Sequence, residues 1–459
     1  MSRSAPDALA DTAPRQRSQP LRVAARSFQM FEATILAAGV FAETAWLLWG
    51  RQDYLRTALG RALVSLCTRL GATFIKVGQI ASTRGDLLPA ALIAELATLQ
   101  DRVPPFPSHQ VREVIESSLA KPLDQLFASI DLEPIAAASV AQVHRAVLPS
   151  GEVVAVKVRR PEVLDRIALD RSILLFVART LERLVPSIRM ISFEDAMRHF
   201  CAAVEEQSHL DNELANNLRF TAAFADDPDV DFPRVYPELS SDAVLTMEFI
   251  EGLREHEIER HGIDPRRIAE SGMRCVCRMI FRDGFVHADL HPGNMRFFPP
   301  GRVVLLDLGL VGEVNDRDRL SAVQLFYALA VGDGVTVARS LYDNAPFRGT
   351  LDYPTYEREI VEAVAALQQI GLGNIEITVE IGRIFDILRR HRIRARSHMT
   401  MVNLALMTVE GLGKRLVPDL SMTDAALPYL AEALGLPLPA RPSGDGRVAT
   451  ADLPSPVHC

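Results

Sequence analysis

His287-Ala-Asp289-Leu-His291-Pro-Gly-Asn294, with Asp307-Leu-Gly309 opening thirteen residues after Asn294, is the stretch that decides how this chain folds. Its three oxygen-bearing residues divide the labour of phosphoryl transfer. Asp289 can orient or deprotonate an attacking hydroxyl. Asn294 and Asp307 offer hard oxygen ligands for Mg²⁺ held on nucleotide phosphates. His287 and His291 flank Asp289 and read as residues that shape the loop.

Upstream, Gly151-Glu-Val-Val-Ala-Val-Lys157-Val is a turn followed by a β-branched, alternating run, and it predicts a half-buried strand. Val154-Ala-Val-Lys157 matches the strand lysine of protein kinases, which holds the α- and β-phosphates and pairs with a helix glutamate. Glu213, in Asp211-Asn-Glu213-Leu-Ala-Asn, is the candidate partner. The separation between the two exceeds that of ordinary protein kinases, so extra helices are expected in the small lobe. Val244 to Gly252 predicts a strand running into a connector. Met247, Glu248 and Phe249 should then line the adenine as hinge backbone. Where a kinase has a glycine-rich turn, this chain has Ala136-Ala137-Ala138-Ser139. Alanine gives up the positive-φ freedom of glycine and holds the backbone further from a ligand. A phosphate-proximal loop of altered geometry is expected here.

The 459 residues suffice for a bilobal body with an extension. With 48% hydrophobic and 24% charged residues the composition is globular. A net charge of −8 excludes general nucleic-acid binding, which needs a basic face to neutralise phosphates. The five cysteines are scattered without a C-x-x-C pair, as in a reducing, cytoplasmic compartment. Residues Phe28 to Trp49 are strongly apolar, yet Glu32 and Glu43 interrupt them. The charge-free run 33–42 is short of the ~18 residues of a membrane span, so no transmembrane helix is expected. Eleven residues apart, the two glutamates share one helical face. A helix packed on the body and a helix lying peripherally on the inner membrane, with Trp46 and Trp49 at the interface, both fit.

These residues together resemble the UbiB/AarF family of atypical protein-kinase-like proteins. The resemblance runs from about Leu66 to Leu416. It rests on Lys76-Val-Gly78-Gln79 (K-x-G-Q), the S-T-R-x-D-L-L-P run at 82–89, the alanine-rich loop, H-A-D-L-H-P-G-N, and the late segment Thr408 to Pro418. It implies an α+β, bilobal, kinase-like fold, mostly helical. A K-x-G-Q extension would cover the active site, with Lys76 and Gln79 on the nucleotide side. It also implies ATP and Mg²⁺ as cofactors, a small-molecule or lipid acceptor of quinone-precursor type, and quinone-biosynthesis enzymes as partners. Two departures stand out. The family's E-x-D falls here on Gln207 and His209, with Glu205 and Glu206 just upstream. The paired membrane helices that often end bacterial members are not expected after Leu416.

The expected organisation is a disordered tail (1–26), an N-terminal helical extension (27–125), a small lobe (126–250), a large lobe (251–435) and a second tail (436–459). The expected activity is Mg²⁺-dependent ATP hydrolysis or phosphoryl transfer. Lys157 would hold the α- and β-phosphates with Glu213 anchoring it, Asn294 and Asp307 the metal, and Asp289 the acceptor. A conventional protein kinase would carry a glycine-rich loop. A phosphotransferase of the aminoglycoside or choline type would lack K-x-G-Q. A non-catalytic, nucleotide-gated scaffold would keep every ligand residue.

Overall fold

The computed structural model describes residues 19–50, 54–82, 90–99, 105–184, 193–288, 290, 292–349, 352–370, 377–394 and 397–436. The chain opens with a helical layer of α1 (Gln19–Leu47), α2 (Tyr54–Leu70), α3 (Ala72–Ser82) and α4 (Ala90–Leu96). Its core is Ala33, Cys67, Leu70, Phe74, Ile75, Leu96 and Leu99. Helix α1 starts at Gln19, inside the tail expected to run to residue 26. The reason is Arg26, which reads as part of a polar leader but is buried. Its guanidinium donates to both carboxylate oxygens of the fully buried Asp170 at 2.6 and 2.9 Å, and to the Leu70 carbonyl at 2.8 Å. On length and composition alone, 23–47 could also cross a membrane. The ten-residue run counted from the sequence missed this, because the glutamates are only two charges in a long apolar helix.

The small lobe follows. Helices α5 (Ser108–Leu119) and α6 (Leu123–Leu126) cover one face of an antiparallel sheet built from β1 (Ser129–Ile130), β2 (Ala136–Ala137), β3 (Ala141–Val147), β4 (Val153–Arg159) and, later in the chain, the strand Val244–Glu248. The strand β4 lies between β3 and Val244–Glu248. Side chains alternate across a strand, so Val154, Val156 and Val158 meet Val111, Ile115, Leu123 and Leu126 of the covering helices. Lys157 consequently projects to the other face.

On that face lies α9 (Leu210–Ala223), which supplies Glu213 to Lys157, preceded by α7 (Val163–Leu184) and α8 (Phe193–Glu206). Residues 193–223 form two helices, parted at Gln207–His209. His209 leaves helical geometry at φ −96°, ψ 104°, and its ring pairs with Asp242 at 2.5 Å. Asp242 also accepts from Arg159 at 2.6 Å. This ionic knot fixes the start of α9 beside the sheet.

After β5 (Val230–Asp231) and β6 (Val244–Glu248), the chain enters the large lobe. Helix α10 (Pro265–Cys277) is capped by Asp264, whose side chain accepts from the Arg266 amide, and Pro265 fills the first turn. It runs into a π-helical turn, Arg278–Asp283. Two small ladders follow. In one, β7 (Phe285–His287) pairs with β10 (Val311–Glu313). In the other, β8 (Met295–Phe298) and β9 (Arg302–Leu305) form a hairpin, with β5 parallel to β9. The remainder is helical: α11 (Asp316–Val331), α12 (Gly334–Asp343), α13 (Tyr353–Ile370), α14 (Ile377–Arg390), α15 (Ser397–Leu416) and α16 (Met422–Leu434), with a β11 (Phe347–Arg348) and β12 (Ile393–Arg394) pair between them. Apolar residues of α15 and α16 close over α10 in the main core.

Candidate active site

Lys157, Glu213 and Asp307 converge between the lobes. Lys157 Nζ donates to Glu213 Oε2 at 2.7 Å and stands 3.5 Å from Asp307 Oδ2. The strand aims the lysine and the first turn of α9 supplies the glutamate, a favourable place for an anion near a helix N-terminus. Lys157 and Glu213 are almost wholly buried, whereas the Asp307 side chain is 45% exposed and faces the cleft. Burial by itself lowers the lysine pKa, but the Asp307 and Glu213 charges outweigh it and hold Lys157 above its ordinary value. Burial likewise pushes Asp307 up. The Lys157 and Lys76 charges, the Gly309 amide and the adjacent His287 overcome that and hold the carboxylate below its usual range. Glu213 is pushed up to about 7, first by burial and also by Asp307, with Lys157 opposing.

The D-x-G turn shows why glycine sits third. The Gly309 amide donates to Asp307 Oδ1 at 3.0 Å, and a Cβ on Gly309 would stand 3.2 Å from that oxygen and 3.5 Å from Glu213 Oε2. Sequence reasoning missed Asn216, whose side-chain amide donates to the Leu308 carbonyl at 2.9 Å. It lies three residues after Glu213, hence on the same helical face. That spacing was the available signal.

Asn294 is brought to Asp307 by strand pairing. Met295 opposes Leu305 across β8 and β9, and the Leu306 amide donates to the Asn294 carbonyl at 2.9 Å. Both oxygen donors therefore emerge at the same end of one hairpin. His287 is fully buried at the end of β7, opposite Val311. Asp289 and His291 lie outside the described residues. On either side of Asp289, Ala288 is tied to Leu310 by a 2.9 Å amide bond, and Leu290 is buried in the main core.

The Lys76 charge is among those that lower the Asp307 pKa. Gly78 and Gln79 serve a different purpose from the nucleotide contact expected of Gln79. The Gln79 amide donates to the Leu99 carbonyl at 3.1 Å, and a Cβ on Gly78 would come within 2.2 Å of Leu99 Cδ1 and 3.3 Å of Cys67 Sγ. Together they seat α3 against the end of α4. Gly78→Ala is expected to cost about 1–3 kcal/mol by overpacking and to shift Lys76. A thermal melt and an Mg-nucleotide titration should both move, and an unchanged melt would contradict the close approach.

At the E-x-D positions, Gln207 is buried and neither of its amide atoms finds a partner among the described residues. Glu205 holds Arg171 at 2.8 Å, and Glu206 is exposed.

The alanine segment is a tight hairpin rather than an open loop. Ala136 and Ala137 form β2 opposite Val143 and Gln142, and the Ala138 amide bonds the Ala141 carbonyl at 2.8 Å. Ser139 is buried at the tip. Arg160 Nε donates to the Ala138 carbonyl at 2.9 Å, a second contact that the sequence reading missed. Glu248 and Phe249 already use their amides, on the carbonyls of Arg234 (2.7 Å) and Val153 (3.3 Å). A base edge at this hinge would meet carbonyls or later amides. Met247 packs with Leu210, Val235 and Leu245.

Comparison with known proteins identifies the framework. The ABC1 atypical kinase-like domain matches residues 98–341, and the UbiB helical domain matches residues 358–421. The chain belongs to the ABC1 atypical kinase-like family. Proteins of similar sequence include sll0005 of Synechocystis sp., at 31% identity across 91% of this chain and 61% of its own length. Probable protein kinases named UbiB from Sodalis glossinidius (31% identical) and Pseudomonas fluorescens (33%) match 85% and 83% of this chain and 74% and 73% of their own lengths. Among solved structures, Rv3197 of Mycobacterium tuberculosis, determined with erythromycin, superposes with a TM-score of 0.51 at 22% identity, over 85% of this chain and 97% of that one. That likeness concerns the fold. The α+β kinase-like architecture expected from the Asp289, Asn294 and Asp307 spacing is thus the family's own.

The high position of Glu213 has a pH signature. With a folded pKa of about 7 against an ordinary 4.5, the folded state takes up a proton between these values. This group's contribution to stability accordingly falls as pH rises through that window. The Lys157–Glu213 ion pair, conversely, is complete only above about pH 7. Nucleotide affinity should show an acid limb with a midpoint near 7 in the wild type, and Glu213→Gln should remove that limb while lowering affinity throughout. A limb that persists in Glu213→Gln would assign it to another group.

Proposed function

We propose that this protein binds Mg-ATP between its lobes and hydrolyses it or transfers the phosphoryl group to a small or lipid-like acceptor. The observation that carries the reading is the Lys157–Glu213 pair at 2.7 Å beside an ionised, cleft-facing Asp307. The donor set suits the cofactor: an amide and a carboxylate at one hairpin end for a hard divalent ion, and a buried ammonium for phosphate oxygens. Bound Mg-ATP would supply the activated phosphoryl group. Lys157 would hold the α- and β-phosphates, with Glu213 fixing its direction. Asn294 and Asp307 would ligate the metal, and Asp289 would orient the acceptor hydroxyl. Ala136 to Ser139 would close over the phosphates as a hairpin pinned by Arg160, and Met247 to Phe249 would border the base.

The acceptor class follows from two features. Lys76 brings the N-terminal helical layer over the metal side of the cleft, which disfavours a polypeptide substrate. The resemblance to the UbiB/AarF family points to isoprenoid-quinone (ubiquinone) biosynthesis, in the company of its enzymes at the cytoplasmic side of the inner membrane. We take the layer (to residue 125), the small lobe (126–250) and the large lobe (251–435) as the working units. The test is single-turnover transfer from Mg-ATP to phenolic quinone-precursor analogues, run beside hydrolysis in their absence. Turnover in either arm supports the enzyme. Tight Mg-ATP binding with neither would assign the site to a nucleotide-gated scaffold.

A further inference from the structure

The strand β8 carries a charge that the phosphotransfer chemistry leaves unused. Side-chain alternation buries Met295 and Phe297 and turns Arg296 to the opposite face, two residues after Asn294. The connector leaving the hinge strand crosses β8 at this point. Leu253 and Phe297 exchange backbone hydrogen bonds of 3.0 and 2.9 Å in an antiparallel bridge. The next residue along each segment, Arg254 and Arg296, therefore stands opposite the other. Arg254 keeps extended backbone, with φ −89° and ψ 162°. A Cβ on Gly252 would come within 2.7 Å of Arg296 Cβ, so the connector lies pressed onto the strand. Phe297 packs in the main core, and the two arginines share the face turned away from it, Arg254 exposed and Arg296 half-buried.

Like charges set opposite across a bridge repel, and neither guanidinium forms an ion pair among the described residues. The acids along the connector are engaged elsewhere or face water. Glu248 accepts from the Arg234 amide at 3.3 Å, and Glu255 holds Arg415 at 3.1 Å. Glu257 Oε2 accepts from the Arg254 amide at 2.8 Å, and Glu251 is exposed. Burial, and then the Arg254 charge, lower the Arg296 pKa, with Glu257 opposing. Arg296 Nη1 donates to the carbonyls of Met295 at 2.7 Å and Gly293 at 3.2 Å, which draws the guanidinium back along the Asn294 loop. Its Nε and Nη2, and the whole Arg254 guanidinium, make no hydrogen bond among the described residues. Such paired forks match the oxygens of a carboxylate or phosphate, which a guanidinium can hold two at a time.

We propose that Arg254 and Arg296 form an anion subsite between the hinge connector and the Asn294 loop, which takes a carboxylate or phosphate carried by the acceptor. The acceptor is then an acidic hydroxyl compound, held by its anion while its hydroxyl reaches toward the metal side. Assignment of the anion to the acceptor rests on the phosphotransfer reading, whereas the subsite itself does not. The other source of the same chemistry is the nucleotide, whose phosphates would have to compete for the pair.

The probes are benzoate, its uncharged isostere benzamide, and inorganic phosphate, titrated by calorimetry into the full-length protein with and without saturating Mg-ADP. Benzoate and phosphate should bind in both conditions, and benzamide at least about tenfold more weakly, the scale of a lost charged hydrogen bond. Salt should weaken both anions. Arg254→Gln should weaken them by about tenfold, and Arg254→Glu, which sets a carboxylate against Arg296, should abolish binding. Both variants should melt no lower than the wild type, because they relieve a repulsion at an exposed side chain. Four results would overturn the proposal: no anion binding, equal binding of benzamide, anion binding that the Arg254 variants leave intact, or displacement of benzoate by Mg-ADP, which would give the pair to the nucleotide. A protein that binds no Mg-ADP would sink the phosphotransfer reading, and the titrations without nucleotide would still decide the subsite.

Discussion

Asp307→Asn should lose Mg²⁺-dependent nucleotide turnover by roughly 10³-fold, the scale expected when several kcal/mol of metal-ligand electrostatics are removed. The fold should survive, because the Lys157–Glu213 pair at 2.7 Å does not depend on Asp307. A second effect is specific to this geometry. The Asp307 charge helps to raise Glu213, so the substitution should move the acid limb of nucleotide binding to lower pH. Melts, nucleotide titrations at several pH values and hydrolysis rates check all three parts. Full turnover in a folded Asp307→Asn protein would remove Asp307 from the metal site.

Asp170→Ala is expected to be the most destabilising single change. Asp170 is wholly buried, and it is the carboxylate that compensates a guanidinium only 7% exposed. Removing one partner of a buried pair typically costs about 3–5 kcal/mol, because the other charge is stranded. The Leu70 carbonyl would still accept from Arg26, but a neutral acceptor cannot balance the charge. Thermal or urea unfolding should show the loss, with α1 becoming protected last and cleaved first in limited proteolysis. Arg26→Leu/Asp170→Leu should recover much of the stability, since an apolar pair strands nothing. A single variant as stable as the wild type would mean that the pair contributes no net stability.

How much of this was legible beforehand varies with the reach of each interaction. Lys157 was readable because a β-branched strand and its turn are local in sequence. Asn294 and Asp307 were readable because the single hairpin between them sets their spacing. Glu213 was named as the partner of Lys157 from its helical context, and the structure places its carboxylate on Nζ. Arg26 was misread, because nothing within a few residues reveals a carboxylate 144 positions away. Gln79 was assigned to the nucleotide side on the strength of its motif, and its amide is instead committed to Leu99. Arg160 and Asn216 went unnoticed because each bonds a backbone carbonyl, an acceptor that every residue carries and no sequence pattern marks.

The sequence by itself determined the family, the two-lobed architecture and the candidate residues Lys157, Asn294 and Asp307. These rest on spacing within single turns, strands and hairpins, where covalent geometry fixes what neighbours what. Only the tertiary structure decided that the glycine and glutamine of the K-x-G-Q helix grip the end of α4. It also decided that the alanine segment is a pinned hairpin, and that α1 hides an arginine while showing water a row of aromatic rings. Those outcomes depend on which buried charges find partners across the fold, and that pairing exists only once the lobes have packed.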